Sequence, residues 1–315
     1  MLLLYRGESF DPNFYYHSGV DIDHSFLLSD GRRKTLLTPK MNEPLARARF
    51  RGKVAVYGNA FEDLARLIKG RKVLIDGRSM SALMHSRLKK ICRMKDHSQA
   101  LLRMRSQKKP AEMSDIRKAV RLTKEIFESL DMGKAGTEEG LHRQLMLETA
   151  ERGLEPAFEP IVSSGAGTAF PHYRAGKRKL GGIVLVDYGV RWNHYCADLT
   201  RCFILDGDRR KKEEYERLRD ICFFLADSLP SLRTGKEAAE LADSLVAKAG
   251  FPKMVHAIGH GVGLEIHELP HIGMKSDDSL RDAALAIEPA FYRAGRYGMR
   301  YEETVWSDGK RSRVL

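Results

Sequence analysis

The sequence predicts a two-domain protein of the α/β (α+β) class, on three observations. The first third alternates short apolar runs with a helical stretch. The remainder pairs apolar runs into hairpin-like units separated by helical stretches. The length of 315 residues suffices for two separate cores. A connecting stretch at 105–110 divides the chain into a small domain, 1–108, and a larger one, 109–315.

In the small domain, SFLLS (25–29), KTLLT (34–38), KVAVYG (53–58) and KVLIDG (72–77) are apolar runs bounded by Gly, Pro and charge, the pattern of strands. NAFEDLARLIKG (59–70) has apolar residues at helical spacing and ends in Gly, which predicts a helix. Strands alternating with helices imply a mixed or parallel sheet. In the larger domain, Met113, Ile116, Val120, Ile126 and Phe127 share one helical face of PAEMSDIRKAVRLTKEIFESL. A second helix is predicted over 137–152, with Thr137 as N-cap and Gly153 as stop, and two more over 213–228 and 236–250.

The chemistry concentrates on Asp187, Asp198, His260, Glu288 and Glu302. Asp187 ends the apolar run IVLVD, and Asp198 begins its return in YCADLTRCFIL. With a turn centred on Trp192-Asn193, the two carboxylates face each other across an antiparallel pair, about 5 Å apart at Cβ. Two bare carboxylates there repel, so a positive charge belongs between them. Glu288 and Glu302 repeat the arrangement around PAFYRAGRY, with Pro289 and Gly295 as turn residues. His260 lies between the two pairs in the Gly-rich HAIGHGVGLEIHELP (256–270). Singly, each is an ordinary turn or solvent residue. Jointly, four carboxylates and an imidazole suit hard to borderline divalent ions, and no thiolate set for structural zinc accompanies them.

The strings VDYGVRWNHYCADLTR, IGHGVGLEIHELP, IEPAFY, GMRYEETV and SSGAGTAFPHY (163–173) resemble metallopeptidase family M24, with its pita-bread fold. The resemblance is closest to prolidases (Xaa-Pro dipeptidases) and aminopeptidase P, and it covers the C-terminal two-thirds in the family's order. NFYYHSGVDIDHSFLLSDG resembles the smaller N-terminal domain of creatinase and prolidase. The resemblance implies that Asp187 chelates one metal, that Asp198 and Glu302 bridge two, and that His260 and Glu288 bind the second. It implies substrate-handling roles for His172 and His267, and a supporting role for Arg300. Read from the residue alone, Arg300 is a salt-bridge partner for Glu302 or Glu303.

The implied activity is hydrolysis of the bond between an N-terminal residue and proline, most simply in Xaa-Pro dipeptides, by a hydroxide shared between two divalent ions. Mn or Co is expected, with Zn or Fe as alternatives. Two ions about 3.5–4 Å apart lower the pKa of a shared water towards neutrality. Glu288 is placed to take its proton, His267 to stabilise the oxyanion, and His172 to protonate the leaving amine. Aminopeptidase action on longer peptides, or a non-catalytic binding module on the same fold, are the alternative readings.

Composition sets the remaining bounds. No apolar run approaches a membrane span, and the opening MLLLYRGESF lacks a basic n-region and a cleavage pattern, so neither membrane nor signal peptide is expected. Cys92, Cys196, Cys202 and Cys222 show no close spacing and read as buried thiols of a cytoplasmic protein. The net charge of +12 gathers in 86–109 and in Arg209-Arg210-Lys211-Lys212. Without interleaved aromatics these runs read as a solvated helix face and a basic turn, and nucleic acid is not an expected partner. The expected partners are a small peptide substrate and, as the family implies, a second copy in a homodimer.

Overall fold

A computed structural model describes residues 1–315, which divide into two units, Met1–Met104 and Arg105–Leu315. The first unit opens with β1 (Leu2–Arg6), α1 (Pro12–Ser18), β2 (Ser25–Ser29), β3 (Lys34–Pro39), α2 (Glu43–Arg49) and β4 (Lys53–Tyr57). It continues with α3 (Ala60–Ile68), β5 (Lys72–Ile75), α4 (Ala82–Lys89), β6 (Arg93–Asp96) and α5 (Ser98–Ser106). One six-stranded sheet runs β4-β3-β2-β1-β5-β6. It is mixed: β1–β2 and β2–β3 are antiparallel, while β3–β4, β1–β5 and β5–β6 are parallel.

The alternating strand faces separate two cores. Phe26, Leu37, Val73 and Ile75 pack with Leu64 and Leu88, and Leu4, Leu27 and Leu36 pack with Phe14, Ala46 and Leu101. The four predicted strands and the helix at 59–70 are present. β1 and β6 were not foreseen, although β1 lies inside the sheet. The uninterrupted LLL of β1 shows no alternation, because both faces of that strand are covered.

The second unit begins with α6 (Pro110–Ser129), α7 (Met132–Ala135), α8 (Glu138–Glu151), β7 (Glu155–Pro156) and β8 (Ile161–Ser164). β9 (Ile183–Tyr188), β10 (Val190–Trp192), β11 (Tyr195–Cys196) and β12 (Leu199–Ile204) follow, then α9 (Arg209–Ser228) and α10 (Gly235–Lys248). The chain ends with β13 (Gly259–Gly261), β14 (Glu268–Ile272), β15 (Ala283–Ile287), β16 (Ala290–Arg293), β17 (Tyr297–Arg300), β18 (Glu303–Ser307) and β19 (Ser312–Val314). Leu185 and Cys202 from one hairpin and Leu285 and Val305 from the other share a core with Leu218, Cys222 and Leu225 of α9 and Ala242 of α10. Thr137 caps α8 as expected, its side chain accepting from Gly140 N–H at 3.0 Å.

Both long hairpins change sheets at their midpoints. β9 and β12 pair from Ile183↔Ile204 to Tyr188↔Leu199, and β10 and β11 then continue in a second sheet. β15 and β18 pair up to Ile287↔Glu303, and β16 and β17 continue from Ala290↔Arg300. Asp198 stands at the first break, and Glu288 and Glu302 at the second. Two expectations are corrected. The first turn is Asn193-His194, both residues with positive φ (48° and 70°), so Asp187 pairs with Thr200 and not with Asp198. The offset is two residues, which keeps both aspartates on one face. Pro289 lies at the strand break, and the second turn is Ala294-Gly295-Arg296.

The basic segments are also corrected. Arg209–Lys212 is the first turn of α9, capped by Asp208, whose side chain accepts from Lys211 N–H at 3.2 Å. Within 86–109, Arg105 and Lys108 are buried rather than solvated. Lys108 Nζ lies 3.0 Å from Glu268 Oε2, and Arg105 pairs with Glu265 and Glu268.

The break at Gly189 admits no side chain, because a Cβ there falls 1.8 Å from the carbonyl oxygen of Ala197. Gly189→Ala is expected to destabilise the protein by more than about 3 kcal/mol in urea denaturation. Gly58→Ala, where a Cβ meets nothing within 4 Å, is expected to stay within about 0.5 kcal/mol. Equal midpoints for the two variants contradict this account of the break.

Candidate metal centre

The two hairpins are tied together at their breaks. Glu302 N–H donates to Thr200 C=O at 3.3 Å, Arg201 Nη1 donates to Glu302 C=O at 2.7 Å, and Thr304 Oγ1 donates to Asp198 C=O at 2.9 Å. These bonds set Asp198 beside Glu302, and the pairing of β13 with β15 brings in His260; each offers a ligand atom within 4.8 Å of the others, all buried. His260 Nε2 lies 3.5 Å from Asp198 Oδ2 and 3.9 Å from Glu288 Oε1. Asp187 lines the same cavity, but its Oδ2 is held by Arg300 Nη2 at 2.6 Å, while its buried Oδ1 has no hydrogen-bond partner.

Arg300 therefore pairs with Asp187, not with Glu302 or Glu303 as its sequence neighbours suggest; Glu303 is held by Arg201. Its Nε also donates to Thr200 Oγ1 at 2.9 Å, and Thr200 in turn donates to Glu302 Oε2 at 2.6 Å. Its Nη1 donates to Tyr292 Oη at 2.8 Å.

Electrostatics make this assembly costly unless protons or an added cation neutralise its carboxylates. Burial raises the carboxyl pKa of Asp198, with Glu302, Asp187 and Glu288 adding to the rise. Glu302 is raised by burial and then by Asp187 and Glu288. Glu288 is pushed up to about 8, mainly by burial. His260 is driven down to about 3, again mainly by burial, so its imidazole is neutral near pH 7. Its Nδ1 faces the Gly261 carbonyl at 3.2 Å, which assigns the proton to Nδ1 and leaves the Nε2 lone pair directed at two carboxylates. A lone pair and carboxylates converging on one point repel unless a cation lies between them. A ligating histidine that donates its other N–H to a carbonyl is the usual arrangement. The orphaned Asp187 Oδ1 fits the same requirement. The donor set of carboxylates and one imidazole suits hard to borderline divalent ions.

The cavity measures 1720 Å³. His267 is exposed on its wall, its ring centroid 4.2 Å from that of His260. The adjacent Glu268 is buried on Lys108 and Arg105, which fixes this loop from behind. His172 is exposed on another wall, in a segment anchored by the fully buried Glu138. That carboxylate accepts from Ser164 N–H at 2.8 Å, Gly176 N–H at 3.0 Å and Tyr173 Oη at 3.1 Å. Sequence reading missed His256 and Tyr292. His256 Nε2 lies 3.0 Å from Tyr292 Oη, and His256 Nδ1 lies 3.6 Å from Glu288 Oε2. Burial lowers the His256 pKa to about 4. The signal for His256 was available: it stands four residues before His260 in the same HAIGH string. Tyr292 reaches the site only through the hairpin register.

The profile of metallopeptidase family M24 matches residues 114–307, and the chain belongs to that family. The chain is 28% identical to the Xaa-Pro dipeptidase of Pyrococcus furiosus over 308 residues, covering 93% of this chain and 87% of that protein. It superposes on the prolidase from Pyrococcus horikoshii with a TM-score of 0.88 at 26% identity, covering 99% of this chain and 92% of that one. An X-Pro aminopeptidase from Thermotoga maritima shares the fold, with a TM-score of 0.90 at 23% identity, covering 100% and 95%. The larger unit is thus a pita-bread domain.

A carboxyl whose folded pKa exceeds its unfolded value stabilises the fold fully below the unfolded pKa, and this is lost as pH rises through the folded one. For Glu288 the window runs from 4.5 to about 8. His256 and His260 act oppositely, but only below their ordinary value of 6.5. Chelator-treated protein is therefore expected to lose stability between pH 6.5 and about 8.5, by about 2 kcal/mol from the Glu288 proton. Saturating Mn is expected to reverse the trend, because ions and protons compete for the same oxygens. Urea denaturation across this range tests it, and a flat profile without metal contradicts the electrostatic reading.

Proposed function

We propose that this chain is a metal-dependent Xaa-Pro dipeptidase of the prolidase type. The observation that carries the reading is the buried convergence of Asp198, His260 and Glu302, with Glu288 and Asp187 beside them, on a cavity open to a peptide. The Xaa-Pro dipeptidase relative, aligned over most of this chain, supports the substrate class. Asp187, Asp198, His260, Glu288 and Glu302 would hold two divalent ions, with Asp198 and Glu302 contributing to both. Mn or Co suits the oxygen-rich set, with Zn or Fe as alternatives. Such ions supply Lewis acidity and a water of lowered pKa.

The remaining steps belong to the protein. Glu288, beside the centre, would take the proton released by the attacking water as it adds to the peptide carbonyl. His267 donates a hydrogen bond to the developing oxyanion. His172, on another wall, delivers a proton to the departing proline nitrogen. Arg300 acts through others, holding Asp187 directly and Glu302 through Thr200. His256 and Tyr292 extend this network along the cavity wall beside Glu288. A homodimer in the cytoplasm completes the proposal.

A second reading is Xaa-Pro aminopeptidase action on longer peptides. The cavity of 1720 Å³ favours it, since it exceeds the usual range of about 300–1,000 Å³ for small-molecule sites.

Mass-spectrometric product analysis of Mn-loaded protein with equimolar Ala-Pro, Met-Pro, Met-Pro-Ala and Met-Ala-Ser separates these readings. Metal-dependent loss of the two dipeptides alone is expected. Release of Met from Met-Pro-Ala moves the activity to aminopeptidase, and no cleavage with Mn, Co or Zn sinks the peptidase proposal on these substrates. Loss of a group that merely supports a metal ligand costs about 10–100-fold, so Asp198→Asn is expected to lower turnover by more than about 100-fold. Its circular dichroism should stay unchanged while bound metal, measured by elemental analysis, falls. Wild-type turnover in this variant would remove Asp198 from the metal set.

A further inference from the structure

The first unit carries the molecule's charge imbalance, and its topology sorts that charge. Residues 1–104 contain 20 Lys and Arg against 10 Asp and Glu, so this unit supplies most of the net +12. β3, β4, β5 and β6 all begin at the same end of the six-stranded sheet. Three cations stand at each beginning. Arg32, Arg33 and Lys34 lead into β3, and Arg49, Arg51 and Lys53 into β4. Lys69, Arg71 and Lys72 lead into β5, and Lys89, Lys90 and Arg93 into β6. All twelve are exposed. Asp30 is the one acid at this end, and its carboxylate is occupied by the backbone N–H groups of Arg32 and Arg33. The other acids follow the opposite strand ends or the loops there, as Glu43 does after β3, Glu62 after β4, Asp76 after β5 and Asp96 at the end of β6.

None of the twelve forms an ion pair. The ion pairs of this unit, Arg6–Asp21, Lys40–Glu43, Arg47–Glu43 and Arg66–Asp63, involve other residues. Arg49, Lys69, Lys89 and Lys90 complement the C-terminal ends of α2, α3 and α4. Lys34 Nζ donates to His17 C=O at 2.6 Å. The other seven make no side-chain hydrogen bond or ion pair, although the charge of Arg33 favours the ionised form of nearby Asp30. Sheet pairing, rather than chain continuity, makes this surface: its cations come from four separate segments spread over some sixty residues.

We propose that this sheet end binds the phosphate backbone of a nucleic-acid duplex without reading its sequence. Six strands at about 4.8 Å spacing set the outer strands about 24 Å apart. A duplex carries one phosphate per about 1.7 Å of axis, so a row of that length faces a comparable line of anions. Unpaired cations need no partner broken before they neutralise phosphates. The surface lacks exposed aromatic side chains for stacking unpaired bases, which selects a duplex over a single strand. Met41, Leu45 and Leu83, exposed apolar side chains of the kind that enter a lipid surface, follow β3 and β5 at the opposite end, while Leu67 in the last turn of α3 is at the margin of exposure at this end. The proposal stands independently of the peptidase reading.

The test is fluorescence anisotropy of full-length protein with a labelled DNA duplex of random sequence, titrated with salt. If six phosphates are neutralised, affinity falls about 10³-fold between 50 and 200 mM salt. The triple variant Arg51→Glu, Lys72→Glu, Arg93→Glu is expected to weaken binding more than about 10-fold at low salt and to reduce the salt slope by about three. The control triple Arg209→Glu, Lys212→Glu, Arg219→Glu makes the same change in net charge on α9 and is expected to lose far less. The milder Arg51→Gln, Lys72→Gln, Arg93→Gln set repeats the measurement should charge reversal impair folding. Absence of salt-dependent binding by the wild type overturns the proposal, as does equal weakening by the control triple. Binding to phosphatidylserine vesicles but not to the duplex would assign the surface to membranes instead.

Discussion

Everything around the centre answers one electrostatic constraint: four carboxylates, two buried and two partly buried, crowd one place with a single arginine among them. Asp198 and Glu302 are buried at the cavity wall, where water screens their charges far less than at a surface. The protein's own donors cover only part of the demand. Arg300 takes one oxygen of Asp187, and Thr200 takes one of Glu302. The rest is left for cations, and the neutral imidazole of His260 is held with its lone pair inward by the Gly261 carbonyl. Protons and metal ions compete for the same oxygens here, which couples metal affinity to folding and to pH.

The geometry that holds the constraint is a pair of broken hairpins. Each runs in one sheet, breaks, and continues in another, and acidic residues occupy the breaks. A break frees a side chain from the ladder without removing the strand that carries it. Gly189 permits one break by letting the Ala197 carbonyl approach, and Pro289, which has no N–H for a ladder, accompanies the other. Hydrogen bonds from Arg201 and Thr304 then lock one break against the other. The non-ligand histidines are positioned differently. His172 and His267 are exposed side chains on segments anchored by the buried carboxylates Glu138 and Glu268. Glu138 draws on backbone N–H groups and Tyr173, and Glu268 on Lys108 and Arg105.

The basic residues show how little a charge run says by itself. Within the single run 86–109, Lys89, Lys90 and Arg93 are exposed at a sheet end, while Arg105 and Lys108 are buried against Glu268. The quartet Arg209–Lys212 begins a helix, where Arg209 and Arg210 reach Glu213 and Glu214 one turn on, and Lys211 is held by Asp206 and Asp208. Identical residue types thus serve as solvated surface, as buried counter-charge and as local helix pairs. The difference lies in what each meets across the fold.

The sequence by itself determined the elements whose cause is local. Periodicity placed α3, α6 and α8, Thr137 placed a cap, and apolar runs placed β2 to β5. The acids ending apolar runs, with the Gly-flanked His260, marked the candidate ligands. What depends on pairing across distance was decided only by the tertiary structure. The turn at Asn193-His194 rather than Trp192-Asn193 follows from backbone positions with positive φ, and it sets Asp187 against Thr200. Arg300 stands two residues from Glu302 in the chain, yet its partner is Asp187, 113 residues away. His256 and Tyr292 meet across a shorter gap of 36 residues. A side chain's neighbours in sequence are fixed by bond lengths, but its neighbours in space follow from register and packing. One local rule survived this displacement. A slip of two residues keeps side chains on their original face, so the carboxylates still met although their partners had moved.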